Sequence, residues 1–320
     1  MRLATFIVRG KHRTIGGFLQ DRYIDLPALT DGGLPPDMLA FLSLGDDGMR
    51  RARAALDAVA GRLGSGDLSK LTGPGNARVA YAPEEIELCA PVPRPGKILH
   101  TSCNFRSHLA ELTTWKEPEW QSHNWKDFHF EHPTGFLEAP SSVVASGAKV
   151  AIPHFTRQLD YEIEIAIIIG RPAFRVPAAD AMKYVAGYTI FNDLSARDIQ
   201  AREHSNKVIL LGKSFDGSCP FGPHLVTPDE LGDPHELAMK LYVNGRLRQD
   251  SNTSQMHYKT AELVSWWSNT TLEPGDIITS GSPPGVAAGM ANPEWLEPGD
   301  LVEAKIDRLG TLTTHIVAGS

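Results

Sequence analysis

Short apolar and β-branched runs, cut by turn residues, dominate the second half of the chain. Residues 143–152, 161–169, 183–192, 225–226, 240–243, 277–280 and 301–306 read as strands. Gly170-Arg171-Pro172, Glu273-Pro274-Gly275-Asp276 and Glu297-Pro298-Gly299-Asp300 bound them. Asn244-Gly245 between Leu241-Tyr242-Val243 and Leu247 marks a hairpin. Helical spacing is sparse there, at 104–112, 178–182, 194–203 and 261–267. The first 75 residues read differently. Short strands at 3–8, 14–19 and 22–26 precede a helical stretch at 36–63, with Met38, Leu39, Leu42, Ala52, Ala55, Leu56 and Val59 on one face. Asp46-Asp47-Gly48 is placed as a break inside it. The pattern predicts a small N-terminal α/β domain over 1–75 and a mainly β (α+β) domain over 76–320.

The 31 Lys and Arg against 38 Asp and Glu give a net charge of −7, and no Lys/Arg run interrupts the sequence. That balance argues against nucleic acid as a partner. No run approaches the ~18 apolar residues of a membrane span, and the longest apolar block, at 163–169, contains Glu164. The first ten residues lack a signal-peptide core. Cys89, Cys103 and Cys219 have no metal-type spacing, so a reduced, cytoplasmic enzyme or binding protein is expected.

Four segments carry candidate chemistry. In Asp160-Tyr161-Glu162-Ile163-Glu164-Ile165, strand alternation puts Asp160, Glu162 and Glu164 on one face. Carboxylates crowded on a buried face repel one another, and a hard cation relieves that conflict. A solvated face is the plain alternative. Asp193 ends the run Tyr188-Thr189-Ile190-Phe191-Asn192, either as a helix cap or as a third ligand. His108 and Glu111 stand three apart in Asn104-Phe105-Arg106-Ser107-His108-Leu109-Ala110-Glu111, a spacing that lets a carboxylate orient an imidazole base. A surface histidine on a helix capped by Ser107 is the rival. Lys213 in Leu211-Gly212-Lys213-Ser214-Phe215-Asp216 either steadies an oxyanion or snorkels at the surface.

Taken together these segments resemble the fumarylacetoacetate hydrolase family. The His-Glu turn, D-Y-E-x-E, N-D-x-S-A-R-D-x-Q, G-K-S-F-D, V-N-G-x-x-x-Q and T-S-G-S-P-P-G-V occur in family order between about Lys97 and Val286. The resemblance implies a C-terminal mixed β-roll, a divalent cation (Mg²⁺ or Mn²⁺) and a homodimer. It implies Glu162, Glu164 and Asp193 as metal ligands, and His108 with Glu111 as a water-activating dyad on a lid. Lys213 would lie beside the substrate oxyanion, with Arg197, Gln200 and Ser282 around the substrate. Asp160 would support the ligands from behind. The reaction implied is hydrolysis of a C–C bond in a ketonic substrate. A 2,4-dioxo acid of the acylpyruvate type, or a β-diketone, would be cleaved through an enolate stabilised by the metal, as in aromatic catabolism. Decarboxylation, isomerisation or hydration of oxo-diacids with the same metal site is the alternative.

The chain departs from the family pattern in places. Ser102-Cys103-Asn104-Phe105 replaces G-x-N-Y, Ser107 replaces Asp, Glu138 stands where Lys is common, and Pro284 replaces a frequent Lys. Where some members add a fourth acidic ligand, this chain has Thr101, so water is expected to complete the shell. Trp115, Trp120 and Trp125, with His123, Phe128, His129, Phe130 and His132, follow the dyad. They read as an aromatic lid or as a packed loop.

Overall fold

The computed structural model describes residues 1–8, 10, 13–63, 67–122 and 128–319. Its spine is a mixed sheet. The strand order is Ala80–Tyr81, Arg22–Asp25, Arg13–Leu19, Arg2–Val8, Cys219–Val226, Val185–Asn192, Ile163–Ile169, Ile277–Thr279, Ile98–Thr101 and Gly135–Glu138. A second sheet runs Arg246–Asn252, Ala238–Val243, Leu301–Ile306, Gly310–Val317, Ala148–Ala151. The fold is the mainly β, mixed-sheet architecture expected.

Strand Ile163–Ile169 explains where the site lies. Ile163, Ile165, Ile167 and Ile169 face a core built with Met239, Leu241, Val302 and Ala304 of the second sheet. On its other face, Ala166 and Ile168 join a core with Leu3, Ile24, Phe41 and Leu56 from the N-terminal region. The same face continues toward the strand start as Glu164 and Glu162. One alternating strand therefore has apolar residues on both faces at one end and carboxylates on one face at the other. Asn192 pairs with Ile163 in the antiparallel neighbour, which brings Asp193 beside Glu162, and the Asp193 amide donates to Glu162 O at 2.9 Å.

The main sheet crosses residue 75 without interruption. Arg2 and Leu3 pair with Val226 and Leu225. Ala80–Tyr81 and Ile86–Leu88 return to pair with Arg22–Asp25 and Arg2–Val8. A cut near 75 would strip those strands from their partners. Several element bounds differ from those expected. Strand Cys219–Val226 is far longer than the two residues expected, because Pro220 and Pro223 disguise it. Arg246–Asn252 is nearly all polar yet pairs along its length with Ala238–Val243. The long N-terminal helix divides into Met38–Leu42 and Gly45–Leu63, a break one turn earlier than Asp46-Asp47-Gly48 suggested.

Candidate active site

Helix Arg197–Ser205 starts three residues later than the sequence pattern indicated. Ser195–Ala196 first forms a two-stranded bridge with Leu159–Asp160, and Ala196 occupies the cap position. Asp193 is thus not a helix cap. Its buried carboxylate turns inward, and Oδ2 accepts from Lys213 Nζ and lies 2.8 Å from His100 Nε2. Its other oxygen, Oδ1, is buried without a partner.

Around it the side chains interlock. Lys213 Nζ donates to Glu162 Oε2 at 2.7 Å and Ser195 Oγ at 2.6 Å. Arg197 donates from Nε to Asp160 Oδ2 at 2.8 Å, and from its terminal nitrogens to Glu162 Oε1 at 2.6 Å and Gln200 Oε1 at 2.9 Å. Asp160 also accepts from the amides of Ala287 and Ala288, at 2.8 and 3.1 Å. Glu164 accepts from the Gly281 amide at 2.8 Å, and its other oxygen lies 2.8 Å from His100 Nε2. Asp160, Glu162, Glu164 and Lys213 are all buried, which excludes both the solvated strand face and the snorkelling lysine.

Charge balance explains the pKa directions. Burial alone would raise Glu162, but Arg197 and Lys213 beside it hold its carboxyl well below the usual range. Glu164 has no such guanidinium, and burial raises it. Burial, with Asp193 adjacent, also pushes Glu138 well up. Burial opposes the charged form of Lys213, yet Asp193 and Glu162 hold its pKa above the ordinary lysine value, so the ammonium persists. The buried acids still outnumber the permanent cations Arg197 and Lys213.

His100, Glu162, Glu164 and Asp193 each offer one ligand atom, all within 4.8 Å of one another. Three hard oxygen donors and an unpartnered buried carboxylate oxygen suit a divalent cation. His100 was missed by sequence reasoning. Thr101, the position expected to leave its place to water, is buried with its hydroxyl accepting from Trp267 Nε1 at 3.1 Å. Its neighbour His100 places Nε2 among the three carboxylates. The available signal was strand alternation in Ile98-Leu99-His100-Thr101, which puts His100 on the same face as Ile98.

The dyad is built by the turn after this strand. Cys103 takes φ +55°, a left-handed conformation uncommon for its residue type. Asn104 anchors the turn, its side-chain nitrogen donating to Ser280 O at 2.8 Å and its oxygen accepting from the Tyr258 amide at 2.7 Å. Helix Arg106–Leu112 follows, with Phe105 and not Ser107 at its cap. His108 is buried, so it is not a surface histidine. Its Nδ1 sits 3.2 Å from Glu111 Oε2, and its Nε2 sits 3.4 Å from Glu162 Oε1. Burial alone would lower its pKa, but Glu111 and Glu162 raise it.

Glu111 is itself clamped. The Gly285 amide donates to its Oε1 and Oε2 at 2.9 and 3.1 Å. Gly285 has φ +106°, and a Cβ there would meet Arg248 O at 2.3 Å, so only glycine lets the backbone present that amide. Gly289 presses on the same carboxyl, since a Cβ would lie 2.1 Å from Glu111 Cδ. Gly289→Ala is therefore expected to push Glu111 off His108, lowering kcat about tenfold, in the range seen when an orienting partner is lost. Metal affinity, read by calorimetric titration, should stay at the wild-type value.

A cavity of about 190 Å³ opens over these groups. His100, His108, Glu162, Arg197, Gln200, Lys213 and Ser282 line its polar side. Leu112, Trp120, Phe128, Phe136 and Ile209 line the other. Ser282 Oγ accepts from Gln249 Nε2 at 2.9 Å. Arg197 braces the cluster through Asp160, Glu162 and Gln200 and also lines the cavity. Trp115 and Trp120 are buried, with rings 4.8 Å apart, in a cluster with Cys103, Leu112 and Ala288. The packed loop and the substrate wall are thus one structure at Trp120. Trp125 and His123 lie outside the described residues.

Fold and site together define a metal-site enzyme built on a mixed β-roll. The chain belongs to the fumarylacetoacetate hydrolase family, whose C-terminal domain (fumarylacetoacetate (FAA) hydrolase C-terminal) matches residues 97–317. It is 37% identical over 306 residues to the mitochondrial oxaloacetate tautomerase fahd2 of Xenopus laevis, covering 95% of this chain and 86% of that protein. It is 38% identical over 239 residues to oxaloacetate tautomerase YisK of Bacillus subtilis, covering 74% and 75%. Among solved structures it is similar to the maleylpyruvate hydrolase of Sphingobium in complex with manganese(II) and pyruvate. The TM-score is 0.74 at 27% identity over 100% of both chains. No helix among the described residues is long and apolar enough to cross a membrane.

Proposed function

We propose that this chain interconverts the keto and enol forms of a small 2-oxo acid. The observation that carries this reading is the buried His108–Glu111 pair, with Nε2 3.4 Å from Glu162 at the edge of the donor cluster. Such a base, oriented at Nδ1 by Glu111 and lining the cavity, suits removal of a proton from the carbon next to a carbonyl. A divalent cation held by Glu162, Glu164 and Asp193 would supply Lewis-acid polarisation of that carbonyl. His108 Nε2 takes the carbon-bound proton, and Glu111 holds the resulting imidazolium. The same atom returns the proton in ketonisation. Lys213, which stays protonated, is a fixed positive charge beside the oxygen where charge collects, its three protons held by Glu162, Asp193 and Ser195. Gln200 and Ser282 orient the substrate carboxylate from the polar wall.

Two things favour tautomerisation over the hydrolysis expected from the sequence. Relatives alike over most of the chain are named oxaloacetate tautomerases. The cavity, at about 190 Å³, suits a compact oxo acid. Hydrolysis of an acylpyruvate keeps support as a second reading from the apolar wall of Leu112, Trp120, Phe128 and Ile209, which fits an acyl tail. The test follows enol absorbance of oxaloacetate and of an acylpyruvate series with metal-loaded enzyme. Accelerated enol–keto exchange of oxaloacetate without new products is the expected result. Release of a carboxylic acid plus pyruvate from the acylpyruvates, with no effect on oxaloacetate exchange, would replace it by the hydrolase reading.

A further inference from the structure

His100 sits where a carboxylate-only metal site would have none of its donors. Its ring lies 4.5 Å from Phe136 at an interplanar angle of 20°, and strand Ile98–Thr101 holds it buried. Nε2 is 2.8 Å from Glu164 Oε1 and 2.8 Å from Asp193 Oδ2. Adjacent donors on one octahedral ion with ~2.1 Å bonds stand ~3 Å apart, so these separations are those of neighbouring ligands. Asp193 Oδ1 is buried without a hydrogen-bond partner. Glu164 and Asp193 both face this ring nitrogen, and Lys213 links Asp193 to Glu162.

We propose that His100 Nε2 is a protein ligand to the cation, completing a set of one imidazole nitrogen and three carboxylates with Glu162, Glu164 and Asp193. The consequence is metal choice. Oxygen-only sets suit Mg²⁺, whereas an imidazole nitrogen favours first-row transition ions, with affinity rising from Mn²⁺ through Fe²⁺ to Co²⁺. The resident ion is then of that class and not Mg²⁺. This inference rests on the cation-binding reading of the site, and not on which reaction the site performs.

Pulsed electron paramagnetic resonance of the Mn²⁺-loaded full chain tests it directly. Nitrogen modulation from a coordinated imidazole is expected, and it should change on labelling the histidines with ¹⁵N. It should vanish in His100→Gln and persist in His108→Gln. Calorimetric titration with Co²⁺ and with Mg²⁺ gives the second readout. His100→Gln should weaken Co²⁺ about tenfold or more while changing Mg²⁺ much less, in line with the ligand preferences of the two ions. The labelling comparison uses the wild-type protein, so it stands even if a variant fails to fold. Absence of histidine modulation in the wild type would overturn the proposal. So would an equal loss of both affinities in His100→Gln, which is what a residue that only positions the carboxylates would give. Neither readout uses turnover, so the proposal and the tautomerase reading fail separately.

Discussion

Glu162→Gln is expected to abolish saturable metal binding at micromolar Mn²⁺ or Co²⁺, and kcat/KM should fall by on the order of 10³-fold or more. The rate estimate follows from losing several kcal/mol of charge stabilisation at the carbonyl. The substitution keeps the side chain's size and removes one charge from the centre of the network. Glu162 alone joins every functional part of the site. It accepts from Arg197 at 2.6 Å and from Lys213 at 2.7 Å, and lies 3.4 Å from His108. With the carboxylate gone, the guanidinium and the ammonium face each other with less compensation, so the empty protein also loses stability. Breaking one partner of a buried ion pair costs about 3–5 kcal/mol. A thermal melt with and without metal separates the two effects. Metal at one hundred times its Kd stabilises a binding-competent fold by about 2.7 kcal/mol. The wild-type melting temperature should rise with added metal, and that of the variant should not. Wild-type metal affinity in Glu162→Gln would remove this residue from the ligand set.

The parts of the site that sequence reading found are charges set beside an apolar run or paired within one turn, and their burial is what excludes the solvated readings. Glu162 and Glu164 stand out because the residues that follow, Ile165 to Ile169, are apolar without a break. His108 and Glu111 are legible because both partners lie in one helical turn. Asp193 was legible from its own residues as an acid at a strand end, cap or ligand, and only the family resemblance named it a ligand. What decides its role is the Ser195–Ala196 bridge to Leu159–Asp160, a contact between segments 35 or more residues apart. His100 was hidden for a similar reason. Two strand pairings, of Ile278 with Leu99 and of Ala166 with Thr279, carry it to Glu164. Alternation within Ile98–Thr101 gives the face His100 takes but not that approach. The N-terminal region was legible in its elements but not in its attachment. The pairing of Arg2 with Val226 joins residues at opposite ends of the sequence, and Pro220 and Pro223 obscure the strand that receives it. Glu138 shows the limit of family pattern. It stands where the family commonly has Lys, yet it is buried beside Cys219, whose Sγ lies 3.5 Å from Oε2. An acid there brings none of the positive charge that a Lys would set beside Asp193.

His108→Ala separates the base from the metal. It should leave Mn²⁺ and Co²⁺ affinity within about threefold of wild type, because none of the cluster's ligand atoms belongs to this ring. Turnover should nevertheless fall roughly 10²–10⁴-fold, the usual contribution of a positioned general base. The loss should appear in kcat with little change in KM, since the polar wall of Lys213, Gln200 and Ser282 stays intact. Glu111→Gln should fall between this variant and Gly289→Ala, because an amide still touches Nδ1 but no longer stabilises the imidazolium. A primary isotope effect, measured with substrate deuterated next to the carbonyl, gives the decisive comparison. In the wild type the effect should report proton removal from carbon. In His108→Ala, added imidazole should recover part of the rate and restore the isotope effect, since the cavity left by the ring opens onto the substrate side. A variant that keeps its full rate would assign the proton transfer elsewhere, and Lys213 is then the poorest substitute. Burial would lower its pKa, but Asp193 and Glu162 hold it above the ordinary lysine value, so it has no free lone pair with which to act as a base.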